Sequence, residues 1–211
     1  MLALASRRQL GSGGRPIEAI NTAEALENLH GATVPGAIKK VSTRITPLYQ
    51  QWIEASRFLI LATIGPEGTD ASPRRDDSAV VKVINEHTIS LPDWRTNKRL
   101  DSPRNVVSDQ RTSLMFMVPG GRNVGRVNGT AILRSDDQAT SPFQKNGSRP
   151  NTVIVLRLGK VYHPCAKALI RSGLWATDDE SGQVPRTGQF NKNFIADPDV
   201  NGYDQYAKER L

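Results

Sequence analysis

The sequence predicts a mainly β protein, in which an antiparallel barrel is flanked by helices. Short apolar or alternating segments of strand length recur between residues 58 and 162. Turn-forming residues, not long helical segments, separate most of them. The chain has 211 residues, enough for one ordinary domain with a sizeable core.

The first 57 residues are expected to lie outside the barrel. Residues 1–16 contain three arginines, no acidic residue and a glycine-rich run, so we expect a mobile tail, with a transit peptide as the alternative. Residues 17–57 are expected to form helices. Asn21 or Thr22 is placed to cap the first helix, and Thr46, followed by a proline, the second.

The barrel strands are predicted by a series of apolar or alternating segments, of which Phe58–Ile64 and Ser113–Val118 are the most apolar. The segments that look like strands are 58–64, 70–75, 79–84, 88–91, 113–118, 126–134 and 151–162, and a helix is expected at 102–109. The barrel is expected to contain about six strands. Their short connections favour hairpins over β–α–β units. The barrel domain is placed at residues 58–176, and residues 177–211 are expected to be a polar C-terminal tail.

Composition limits the partners and the compartment. The net charge of +7 favours an anionic partner, which leaves a phosphorylated small molecule, a nucleic acid or a membrane surface open. No run reaches the roughly 18 apolar residues of a membrane helix. The single Cys165 excludes an intramolecular disulfide framework, so a cytoplasmic location is expected. The three histidines show no metal-ligand spacing, and no metal site is predicted.

One candidate anion site is the segment Leu91–Arg104, where a strand end, a polar loop and a helix start follow each other. Ser102 followed by a proline resembles a helix N-cap. Helix N-termini carry unpaired N–H groups and partial positive charge. The segment also contributes Arg95, Lys98 and Arg99. A solvated basic turn is the alternative.

A second candidate is the strand end Ser72–Asp77, which carries two arginines and two acidic residues. An edge strand protected from aggregation by proline and charge is one interpretation. The other is a strand that runs along a planar ligand while an arginine reaches a phosphate group. The glycine-rich segment Gly120–Gly125 leads into another strand, so it is interpreted as a hairpin turn, and no P-loop or Gly-x-Ser-x-Gly motif occurs.

Taken in order, the segments between about residues 58 and 175 resemble the pyridoxamine 5′-phosphate oxidase-like family of FMN-binding split barrels. The resemblance is carried by F-L-I-L-A-T-I-G-P-E-G, D-A-S-P-R-R-D, L-P-D-W-R-T-N-K-R-L-D-S, S-L-M-F-M-V-P-G, R-V-N-G-T-A and H-P-C-A-K-A-L-I-R-S-G-L-W. It implies a six-stranded antiparallel split barrel with Greek-key features. It also implies a homodimer with two FMN sites at the subunit interface.

The resemblance also implies which residues contact FMN. The second strand would lie along the flavin ring, the loop and helix start would bind the phosphate, and later segments of the partner chain would complete the site. The corresponding residues here are Ser72, Pro73, Arg74, Arg75 and Asp76 for the ring, Asn97, Lys98, Arg99 and Ser102 for the phosphate, and Lys167, Arg171 and Trp175 for the partner's share.

The implied function is an FMN-dependent oxidoreductase acting on a small molecule of unknown identity. The flavin would carry the redox chemistry, with Arg74 or Arg75 near flavin N1 and O2, and no residue is assigned a strictly catalytic role. The subgroup often has glycine in place of Arg75, and the arginine–histidine pattern that binds vitamin B6 substrates is not evident after Trp175. The alternatives are a non-catalytic barrel that holds FMN, another flavin or haem, and a nucleic-acid-binding barrel.

Overall fold

The computed structural model of the chain describes residues 19–31, 35–94, 99–145, 147–164, 166–175, 179–185 and 189–190. The predicted mobile tail at residues 1–16 and most of the predicted tail at 177–211 lie outside these ranges. So do Asn97 and Lys98, two of the residues expected to contact phosphate, and Cys165.

The described residues form six α-helices, seven strands and one short 3₁₀ helix. The helices are α1 (Ala23–His30), α2 (Pro35–Lys39), α3 (Pro47–Ala55), α4 (Asp101–Ser108), α5 (Asp137–Thr140) and α6 (Lys167–Ser172), and the 3₁₀ helix is Ser181–Gln183. The strands are β1 (Phe58–Gly65), β2 (Gly68–Arg75), β3 (Lys82–Asn85), β4 (Thr88–Asp93), β5 (Arg111–Met117), β6 (Val124–Arg134) and β7 (Thr152–Tyr162). None of the described helices is long and apolar enough to cross a membrane.

Two of the N-terminal helices begin at the predicted caps. The Thr22 side chain accepts a hydrogen bond from the backbone N–H of Ala25 at 3.1 Å, and Thr46 caps α3 in the same way. Gly31 follows α1 with φ of 77°, a conformation that favours glycine. Local capping chemistry therefore sets the ends of these helices, as the sequence predicts.

The strands form one antiparallel sheet in the order β2-β1-β5-β6-β7-β4-β3. The sheet has seven strands where six were expected, and each of the seven strand segments named from the sequence forms one of them. β1 and β2 are joined by the two-residue loop Pro66–Glu67, and the glycine-rich segment after β5 is the predicted hairpin turn. β1 pairs with β5 and β4 with β7, so long crossovers link the hairpins, as in Greek-key folds.

The sheet curls around a single main core, which makes it a split barrel. Leu59 and Leu61 from β1 and Ile89 and Leu91 from β4 belong to the same buried cluster, although β4 lies near the far edge of the sheet from β1. Val106 of α4 joins this core. Because α4 packs on the core next to β1 and β2, its N-terminus is held beside the β2 edge of the sheet.

Candidate functional site

A cleft of about 310 Å³ lies between β2 and the N-terminal end of α4. It is lined by residues 70–74, Asp93 and residues 99–103. It therefore brings together two segments that the sequence analysis selected separately. The predicted ligand contacts among its lining residues are Ser72, Pro73, Arg74, Arg99 and Ser102.

The side chains of β2 alternate between its two faces, and those of Asp70, Ser72 and Arg74 share the inner face. Asp70, Ser72 and Arg74 pair with Thr63, Leu61 and Leu59, whose side chains are buried on the inner face of the sheet. Pro73 and Arg75 are exposed, as alternation along a strand requires. Arg75 was expected beside the flavin ring, but in a single chain it lies on the face opposite Arg74.

Arg74 is held at the cleft by an ion pair. Its Nη1 donates to Asp93 Oδ1 at 2.9 Å, and the two side chains are 18% and 15% exposed. The Nε–H of Arg74 is buried and has no hydrogen-bond partner among the described residues. A buried donor without an acceptor is costly, so this guanidinium retains unused capacity to bind an acceptor.

Two serines and an aspartate form a hydrogen-bonded chain in the same cleft. Ser102 Oγ lies 3.0 Å from Ser72 Oγ and donates to Asp70 Oδ2 at 3.0 Å. The predicted role of Ser102 as a helix N-cap is wrong. Helix α4 begins at Asp101, Leu100 takes the N-cap position, and no side chain caps the helix, because the Ser102 hydroxyl is turned towards Asp70.

The backbone at the start of α4 is strained. Among the described residues, Leu100 is the only non-glycine residue with a positive φ, which is 58°. A left-handed conformation costs a branched residue roughly 1–2 kcal/mol. The exposed Leu100 side chain lines both the cleft and a larger neighbouring depression of about 750 Å³, which extends along α4 to the β1–β2 loop.

Arg99 lies at the open side of the cleft. Its Nε donates to Asp101 Oδ2 at 2.7 Å, and its side chain is 80% exposed. The hydrogen bond with Asp101 raises the pKa of Arg99 above its usual range, so the guanidinium remains charged. Its charge is thus available to an incoming anion, although Asp101 competes for it.

Trp94 follows the end of β4 and is held by packing. This residue packs with Phe143 and Val153 in a small second core, away from the main one. The adjacent Asp93 holds Arg74 on the cleft side. The end of β4 therefore fixes one side of the cleft.

The remaining predicted contacts lie elsewhere in the single chain. Asp76 pairs with Lys145 at 3.0 Å, beyond the end of β2. Lys167 and Arg171 are exposed on α6, and the Trp175 indole N–H donates to the backbone carbonyl of Gly121 at 3.0 Å. None of these four lines the cleft. The last three were expected to reach the site of a partner chain, which remains a prediction.

The sequence analysis missed three acidic residues of the cleft. Asp70 lies two residues before Ser72, so strand alternation alone places it on the same face. No local pattern in the sequence marks Asp93 or Asp101 as cleft residues, because their contacts depend on how the barrel closes. Each acid already receives a donor from the chain: Asp70 from Ser102, Asp93 from Arg74 and Asp101 from Arg99. No metal-binding group of three His, Cys, Asp or Glu side chains occurs among the described residues.

Comparison with known proteins identifies related sequences and folds. A model of the pyridoxamine 5′-phosphate oxidase family matches residues 45–165, more than half of the chain. A comparison with curated proteins gives no match.

Three similar solved structures illustrate the range of relatives. HupZ of Group A Streptococcus is 15% identical, with 57% of this chain and 99% of HupZ covered and a TM-score of 0.48. General Stress Protein 26 of Bacillus anthracis is 13% identical, with 54% and 88% covered and a TM-score of 0.42. An FMN-binding protein of Syntrophomonas wolfei is 10% identical, with 55% and 86% covered and a TM-score of 0.41.

Proposed function

Since the chain belongs to the pyridoxamine 5′-phosphate oxidase family, we propose that it binds FMN in the cleft between β2 and α4 and uses it to oxidise or reduce a small molecule. The observation that carries this proposal is the meeting of the two predicted segments in one cleft. Ser72 and Arg74 from β2 and Arg99 from the α4 loop line the same space.

The residues at the α4 end of the cleft suit a phosphate group. Arg99 offers a charged donor at the open side, and the N-terminal turn of α4 contributes partial positive charge. Ser102 is only 3% exposed and its proton is used by Asp70, so we assign it a structural role and not a direct phosphate contact. Lys98 and Asn97 stay proposed phosphate contacts.

The β2 end of the cleft suits the flavin ring. Arg74 is the arginine on the cleft face of β2, so we assign it, and not Arg75, to the region of flavin N1 and O2. A positive charge there favours the reduced flavin, on which negative charge develops. The buried, unpartnered Nε–H of Arg74 fits a ligand that supplies an acceptor.

FMN would supply the redox chemistry, and the chain would bind and orient it. Ser72 and Arg74 hold one edge of the ring, and the strand backbone at Pro73 forms the wall between them. Asp93 and Asp101 oppose an anionic ligand less strongly, because each is paired with an arginine. Asp70 is paired only with a neutral hydroxyl, that of Ser102. No side chain is assigned a general-base role.

We include a homodimer in the proposal, and the outer face of the sheet supports it. The strand registers align Pro73, Ile60, Met115, Arg126 and Tyr162 in one row across five strands. Arg126 lies over the Tyr162 ring at 5.4 Å, and its buried Nε–H has no partner among the described residues. A largely apolar row with an unsatisfied donor suits contact with a second copy. The α6 residues Lys167 and Arg171 stay proposed contacts to the cleft of that copy.

The first experiment is an absorbance spectrum of the purified protein, followed by heat release and chromatography of any chromophore. We expect the two visible bands of an oxidised flavin, and FMN in the released material. Apo-protein should regain the bands when FMN is added. A colourless protein that does not take up FMN would contradict the proposal. Slow reduction of tightly bound flavin by every nicotinamide donor would favour the alternative, a flavin-binding module without redox activity.

A further inference from the structure

The hydrogen-bonded chain in the cleft has a fixed direction. A carboxylate only accepts hydrogen bonds, and a serine hydroxyl has one proton to donate. Ser102 is within 3.0 Å of both Asp70 and Ser72, so its single proton goes to the Asp70 carboxylate. The proton between the two serines must then come from Ser72. The direction is Ser72 to Ser102 to Asp70.

This direction determines whether the Ser72 hydroxyl can donate a hydrogen bond to a ligand or only accept one. Its proton is used inside the protein, so the Ser72 oxygen presents only lone pairs to the cleft that it lines. Ser102 is 3% exposed and transmits the effect of Asp70 without reaching a ligand. Ser72 is therefore an acceptor, although an isolated serine could donate or accept.

A donor lies next to this acceptor. Arg74 follows Ser72 by two residues on the same face of β2, a separation of roughly 6.6 Å along a strand. A guanidinium only donates. Arg74 uses one N–H group on Asp93, while its Nε–H has no partner in the part of the chain that the structure describes. The wall of the cleft thus carries an acceptor and a donor side by side.

On the basis of the proposed function, we propose that Asp70, acting through Ser102, fixes the Ser72 hydroxyl as a hydrogen-bond acceptor. Ser72 and Arg74 together then select a ligand edge on which an N–H group lies beside a C=O group. The pyrimidine part of the flavin ring has such an edge, with N3–H between two carbonyl groups. Asp70 is a positioning residue in this arrangement, because it acts through two hydroxyls and not by contact with the ligand.

The test compares FMN with 3-methyl-FMN, in which a methyl group replaces the N3 proton and the phosphate is unchanged. Affinities are measured by fluorescence titration for the wild type, Asp70→Asn and Ser72→Ala. We expect the wild type to prefer FMN by about tenfold, the effect of one well-placed hydrogen bond. The amide introduced by Asp70→Asn can donate to Ser102, so the direction of the chain is no longer fixed. Both variants should lose most of this preference.

The ratio of the affinities for FMN and 3-methyl-FMN distinguishes a role of Asp70 in positioning Ser72 from a role in the stability of the fold. Asp137→Asn is the matched control, since Asp137 is 96% exposed on α5, and it should keep the wild-type preference. If Asp70→Asn weakens both ligands equally, Asp70 has only a structural role and the inference fails. Equal binding of the two ligands by the wild type would also overturn it, while leaving FMN binding intact. If the wild type binds neither ligand, the proposed function itself fails. Ser72→Ala supplies the same ratio should Asp70→Asn not fold.

Discussion

Arg74 and Asp93 form an ion pair that bridges the opening of the split barrel. β2 is one edge of the sheet, and β4 lies second from the other edge, so no strand ladder connects them directly. The pair joins the two sides at 2.9 Å. One contact therefore closes the sheet next to the cleft and holds the arginine that we assign to the flavin ring.

Asp93→Asn should destabilise the fold. The change leaves the charge of Arg74 uncompensated where its side chain is only 18% exposed, and hydrogen bonds to charged groups contribute about 1.5–3 kcal/mol. Urea unfolding measures the loss. Asp137→Asn, on an exposed side chain, should cost less than about 0.5 kcal/mol. Equal stability of the two variants would show that the Arg74–Asp93 pair does not hold the barrel closed.

Gly65→Ala should loosen the contact between β1 and α4. A Cβ atom at this position would lie 1.9 Å from Asn105 Oδ1, so the Asn105 side chain would have to move. That movement breaks its hydrogen bond to the buried Thr63 hydroxyl, at an expected cost of about 1–3 kcal/mol in unfolding free energy.

A double-mutant cycle checks the cause of this loss. In an Asn105→Ala background, Gly65→Ala should cost clearly less, because the clashing atoms are gone. Gly36→Ala is a suitable control, since a Cβ there meets nothing within 4 Å. If the cost of Gly65→Ala is the same with and without Asn105, the contact is not its source.

Arg99→Ala should weaken FMN binding by about tenfold or more, because it removes a charged donor at the proposed phosphate end. Arg111→Ala is a matched control. Arg111 also pairs with an aspartate two residues away, and its side chain is 70% exposed, but it does not line the cleft. Titration of both variants with FMN compares them. The same affinity in both would remove Arg99 from the site.

The acid titration of Asp109 tests the electrostatics at the end of α4. Hydrogen bonds from the Arg111 side chain and backbone lower the pKa of Asp109 from 3.8 to about 2. A lowered pKa means that the pair stabilises the fold above pH 3.8, and that this contribution disappears as the pH falls through about 2. Arg111→Gln should move the pKa back up, as measured by carboxyl carbon NMR. An unchanged titration would rule out Arg111 as the cause.

The proposed dimer can be tested at the outer face of the sheet. Met115 lies in the middle of the aligned row, between Ile60 and Arg126. Met115→Glu would bury a charge without a partner in the contact, so we expect sedimentation to show a dimer for the wild type and a monomer for the variant. A dimer that survives this change would place the interface on another surface.

Local signals in the sequence predicted most of the elements. The helix caps Thr22 and Thr46 and the glycine-rich hairpin turn at 120–125 act over a few residues, and the structure confirms them. The pairings β1–β5 and β4–β7 depend on long-range packing, and the family resemblance implied Greek-key features without naming these pairings.

In the candidate site too, local patterns predict the position of a residue, whereas its contacts depend on long-range packing. Both Arg74 and Arg75 were expected beside the flavin ring, although alternation along β2 places them on opposite faces of the strand. The partner of Arg74 was not predictable, because Asp93 reaches it only through closure of the barrel. Ser102 gave a convincing local capping signal, but a hydrogen bond to Asp70, on a distant strand, took its hydroxyl away from the helix end.

Equilibrium titration of apo-protein with FMN, for the wild type and for Arg74→Met, tests the central claim most directly. Methionine keeps much of the length of the side chain but removes the charge and the donors. We predict saturable binding by the wild type and an affinity at least about tenfold lower for Arg74→Met. Arg134→Met, which removes an arginine paired with Asp136 outside the cleft, should bind as the wild type does. No binding by the wild type, or equal affinity in Arg74→Met, would contradict the account.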